Sequence, residues 1–91
     1  MDNDNAINLR VAGRSDPSSV AGSAVKNLNE GQEVTLTAIG AGAVNQMLKA
    51  VTIARSMSAS GGQDLYFTSG FATEIINGEE KTAMRIFLKK R

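Results

Sequence analysis

The sequence contains no cysteine, no histidine and no tryptophan. Without cysteine there is no disulfide framework. Without cysteine and histidine there is no zinc centre of the usual nitrogen and sulfur ligands, and neither Ser-His-Asp nor Cys-His catalysis. Aromatics are scarce, three Phe and one Tyr, so aliphatic and small residues must pack the core. A basic surplus is also missing. Ten Lys and Arg against nine Asp and Glu leave a formal net charge of +1, which excludes a global electrostatic footprint for nucleic acid. No apolar run approaches the roughly 20 residues of a membrane helix. The opening MDNDNA is acidic and polar, the reverse of a signal peptide's order. With 91 residues, the chain is expected to form one domain of a soluble, cytoplasmic protein.

What is present centres on Glu33 to Met57. Val34, Leu36 and Ala38 alternate with Thr35, Thr37 and Ile39, which predicts a strand. Gly40-Ala41-Gly42 breaks the extended pattern. From Ala43 to Met57 the spacing is helical, with Val44, Met47, Leu48, Val51 and Ala54 as one apolar stripe widened by Ala50, Ile53 and Met57. Asn45, Lys49, Thr52 and Ser56 form the polar row. So apolar a helix is expected to be covered on two sides, by its own sheet and by a second helix or subunit.

Met1 to Asn5 is expected to be a disordered tail, with the domain running from residue 6 to residue 91. Ala6 to Ala12 predicts the first strand, with Ile7, Leu9 and Val11 toward the core. Asp16-Pro17 is a helix start: Asp accepts from free N–H groups, and Pro is preset for the first helical position. That helix is expected to reach Asn29 and to stop at Gly31. Gly22, beside Ala21 and Ala24, predicts close approach of another backbone. Ser58 to Gly62 reads as a loop, and Asp64 to Ile76 as a strand with Leu65 and Phe67 inward and a bulge or bend at Gly70. Asn77-Gly78 predicts a tight hairpin turn into a last strand from Glu80 to Lys90. The order is β-α-β-α-β-β. Right-handed crossovers place both helices on one face of a four-stranded mixed sheet, an α/β two-layer sandwich. Asn8, Arg10, Thr35, Thr37, Tyr66, Arg85 and Phe87 are expected on the open face.

The segment IGAGAVNQMLKAVTIAR, preceded by SDPSSVAGS and followed by INGEEKTA, is similar to the signatures of the stage V sporulation protein S family of bacteria. The resemblance runs from about Leu9 to Lys90. The family is placed in the Alba-like superfamily, which includes archaeal chromatin proteins. The resemblance implies an Alba-like fold, in the same element order that the residues predict. It also implies a non-enzymatic regulatory role linked to sporulation, septum formation or developmental control.

In Alba proteins the loop matching Gly40 to Gly42 tends to be basic and faces DNA, and a longer basic hairpin follows the groove. Here the loop is neutral and the hairpin tip carries Glu79 and Glu80, so the resemblance implies weak contact. The residues offer a route to it. Free N–H groups at a helix start hold phosphate, and glycine lets it approach. Arg14, Ser15, Gly40, Ala41, Gly42, Asn45, Gln46 and Lys49 are therefore the candidate contacts to DNA or RNA. The other reading is that the glycines only make the turn and seat the helix. A dinucleotide fingerprint is incomplete, because Asn45 stands where the third glycine belongs. Lys81, Arg85, Lys89, Lys90 and Arg91 read as charges protecting a sheet edge. Asp64, Glu74, Glu79 and Glu80 lie in or next to turns and read as solvated, so no catalytic residue, metal or cofactor is expected. A homodimer or higher homo-oligomer is expected from the apolar arc of Val44 to Met57. The alternative function is a protein-interaction or self-assembling module without nucleic-acid contact.

Overall fold

Asp16 and Pro17 start the first helix as their chemistry dictates. Asp16 is the N-cap of α1 (Pro17–Asn29), and its carboxylate accepts from the Ser18 N–H. At the other end Gly31 takes a positive φ of 85°. There the Gln32 N–H donates to the Asn27 carbonyl and the Gly31 N–H to that of Leu28, a Schellman ending. The structure, a computed structural model, describes residues 5–91. Of the expected tail at residues 1–5, all but Asn5 lies outside the described residues. Around α1 stand β1 (Ala6–Val11), β2 (Glu33–Ala38), α2 (Ala41–Ser60), β3 (Leu65–Ile76) and β4 (Glu79–Lys90), in the predicted order. The sheet order is β1-β2-β4-β3, with β1 and β2 parallel and the other neighbours antiparallel.

Both helices pack on one face. Ala21, Ala24 and Leu28 of α1 meet Met47, Val51 and Ala54 of α2 over Val34, Leu36, Leu65, Ile86 and Leu88. Most of the apolar arc of α2 is thus covered within the chain, by sheet and helix. Leu48 and Met57 remain exposed at its flanks. Among the described residues the core contains no aromatic side chain.

Several expectations are corrected. Helix α2 begins at Ala41 and runs to Ser60, not Met57. Ser58 to Ser60 carry no apolar signal, yet Gly62 (φ 85°) and the Gln63 N–H close a second Schellman ending on Ala59 and Ser58. Gly70 makes no bulge, because the β3–β4 register is unbroken from Leu65↔Lys90 to Ile76↔Glu79. A Cβ on Gly70 would lie 3.9 Å from the Phe87 ring, so the missing side chain leaves room beside that ring. Nothing lies within 4 Å of a Cβ built on Gly22, so no backbone approaches it. Phe67 points to the helix face but stays 40% exposed, at a shallow hollow that it shares with Val51, Thr52 and Arg55 of α2. The turn at Asn77 and Gly78 has positive φ at both residues, as predicted. Beyond Met84↔Ala38, β4 and β3 continue past the end of β2 as a two-stranded arm.

Candidate nucleic-acid interface at the helix N-termini

Because β1 and β2 are parallel, both deliver their helices from the same end of the sheet. The two helix starts differ. Asp16 fills that of α1, accepting also from the Ser19 hydroxyl at 2.9 Å. At α2 the N-cap is Gly40, with no side-chain cap. The Val44 N–H donates to the Gly40 carbonyl at 3.0 Å, which begins the helix. Ala41 and Gly42, in the first turn, are exposed, and the positive end of the helix dipole faces outward there. Gly40 adopts φ 91° and ψ 155°, a conformation that is essentially reserved for glycine.

The predicted residues do gather at this end, with divided roles. The Gln46 side-chain amide donates to the Ser15 carbonyl at 3.0 Å, tying the two helix starts together. The Ser15 hydroxyl accepts from the Ala12 N–H at 2.8 Å and tightens the turn. These two residues hold the turn and the two helix starts together. Arg14 in that turn and Asn45 on the first turns of α2 are exposed. Lys49 lies two turns in, about 12 Å along the axis from Ala41. It shares a shallow depression of about 390 Å³ with Pro17, Ser18, Asn45, Leu48, Thr52 and Ile53. A second hollow of about 300 Å³ lies between the strand ends and Ala43, lined by Arg10, Gly13, Thr37 and Ile39 among others.

The open face holds a polar network that sequence reasoning found only in part. Alternation correctly put Asn8, Arg10, Thr35, Thr37 and Arg85 there. The hydroxyls of Thr35 and Thr37 both donate to Asn8 Oδ1 at 2.8 Å, and Arg85 Nε donates to Thr37 Oγ1 at 3.0 Å. Glu74 was expected to be solvated, but its side chain is only 15% exposed, held by Arg10 at 2.7 Å and Arg85 at 3.4 Å. Arg10 and Glu74 stand on opposite edge strands, about 14 Å apart across a flat sheet, and the register sets Glu74 about 13 Å further along, beyond Gly70, the residue level with Arg10. Their contact requires the sheet to curl over its open face, which no single strand's pattern reveals. At the far end, Asp64 accepts from Arg91 at 2.8 Å and Arg55 at 3.3 Å. Hydrogen bonds from Arg91 and then Arg55 hold its carboxyl below the usual carboxylate range. The Arg91 guanidinium also lies 4.7 Å from the Tyr66 ring centre. Arg85 and Arg91 are therefore engaged, as is Lys81 by Glu79 at 3.3 Å, while Lys89 and Lys90 are exposed.

Among the described residues no group of three acidic side chains gathers to hold a metal ion. No described helix is long and apolar enough to cross a membrane. Residues 7–91 match the family model described as Stage V sporulation protein S.

Proposed function

The chain belongs to the stage V sporulation protein S family, which gives it a sporulation-related role, and from that premise we propose that it is a non-enzymatic regulator that binds nucleic acid weakly through phosphate contacts. The observation that carries this reading is the start of α2. It has no side-chain cap, is flanked by exposed residues, and lies at the same end as Arg14. Backbone N–H groups there are fixed donors, and Arg14 adds a full positive charge. Asn45 adds an amide, and Lys49 a second cation further along the helix. The Gln46–Ser15 hydrogen bond keeps the two helix starts in register. So few charges imply low affinity and little preference for sequence. The proposed site of action is the cytoplasm, in sporulation, septation or developmental control, and the Alba-like reading of the fold fits this use.

The test is a titration of labelled DNA and RNA by fluorescence anisotropy at several salt concentrations. Binding that weakens with salt, with a shallow slope of about two to three phosphate contacts, is expected. Absence of binding at low salt contradicts the reading and leaves a protein-interaction module. One observation favours that second reading: Phe71 is 80% exposed and Ile75 63% exposed on the hairpin arm.

A further inference from the structure

Strand β3 is the last in the sheet, and among the described residues nothing pairs with its outer edge. Edge strands are ordinarily blunted by proline, lysine, bulges or brevity. Strand β3 has 12 residues, an unbroken register and neither proline nor basic residue. Its single charge, Glu74, is turned to the open face and held by two arginines. On the helix face of the same strand Phe67, Phe71 and Ile75 are 40%, 80% and 63% exposed. Together these leave on the order of 300 Å² of apolar side chain in water, the size of the largest apolar patch on a typical monomer, and such patches are often functional.

We propose that β3 joins a second copy of this chain, antiparallel and edge to edge, about a two-fold axis at Phe71. The pattern of the strand selects this occupant, because it is complementary to itself. With Phe71 opposite its own copy, Phe67 meets Ile75 and Ser69 meets Thr73 on one face, while Glu74 meets Thr68 on the other. The two helix-face pairs nearest the axis that contain apolar residues, Phe71 with Phe71 and Phe67 with Ile75, are apolar on both sides, and no like charges meet. A two-fold contact is isologous, so one patch supplies both sides of the apolar centre of a standard interface of about 1,600 Å². The inference stands without the nucleic-acid reading.

Light scattering at micromolar concentration should give twice the 9.6 kDa chain mass. Phe71→Lys should raise the dissociation constant at least about tenfold, with an unchanged circular dichroism spectrum because Phe71 makes no core contact. Leu48→Lys, on the exposed flank of α2, should leave the dimer intact. The absence of native cysteine allows a direct check of register. The double variant Ser69→Cys/Thr73→Cys should form a covalent dimer on mild oxidation. A monomeric wild type, a dimer indifferent to Phe71→Lys, or a cysteine pair that fails to cross-link overturns the proposal.

Discussion

Gly40 and Gly42 stand two positions apart and tolerate different things. Gly40 sits at φ 91° and ψ 155°, where a Cβ is strained whatever the space around it. Gly40→Ala should destabilise the protein by about 1–3 kcal/mol. Gly42 is helical, and nothing lies within 4 Å of its added Cβ. Gly42→Ala should be neutral or stabilising by up to about 1 kcal/mol. Denaturant midpoints of the two variants check this contrast. The sequence showed a glycine turn but gave both glycines one role; only backbone angles separate them. Asp64 offers a pH readout. Its folded-state pKa is depressed by Arg91 and Arg55, so its contribution is present above the unfolded carboxylate value and is lost as pH falls through the folded one. Asp64→Asn should therefore lower stability at neutral pH, and the difference from wild type should vanish in acid. Thermal melts across that range decide it.

At the scale of elements, local chemistry made the fold readable. Asp16-Pro17, Gly31 and Asn77-Gly78 each mark a boundary by a conformational demand that few residues meet, and each was placed correctly. Errors fell where no such demand shows. Ser58 to Ser60 extend α2 with polar and small residues that read equally well as loop. Gly70 suggested a bulge, whereas it leaves room beside a ring on the neighbouring strand. The arm formed by the distal halves of β3 and β4 was legible as a hairpin, but its anchoring to β1 was not. Removing one charge tests that anchor. Glu74→Gln leaves Arg10 and Arg85 without their counter-ion and should cost about 1–2 kcal/mol, discounted for the exposure of Arg10. Faster amide exchange confined to residues 72–83 is the expected signature. Uniform acceleration across the sheet would place the role of Glu74 in the core instead.

For the molecule as a whole, all four aromatic side chains lie on β3 and β4, outside the core. Composition predicted an aliphatic core but not where the aromatics would go. The candidate site was legible in part. Parallel strands bring Arg14 and the Gly40 turn to one end, yet the sequence could not assign Gln46 and Ser15 to holding that end together. The expectation of self-association rested on the apolar arc of α2, most of which α1 and the sheet cover within the chain, whereas the contact proposed above uses the edge of β3. The central claim is that phosphate lands at the start of α2. Its most direct measurement is the salt dependence of nucleic-acid binding for wild type, Arg14→Ala and the double variant Lys89→Ala/Lys90→Ala. The account predicts that Arg14→Ala weakens binding for every sequence alike and flattens the salt slope by about one unit, with the double variant close to wild type. Binding lost in the double variant and intact in Arg14→Ala would contradict it.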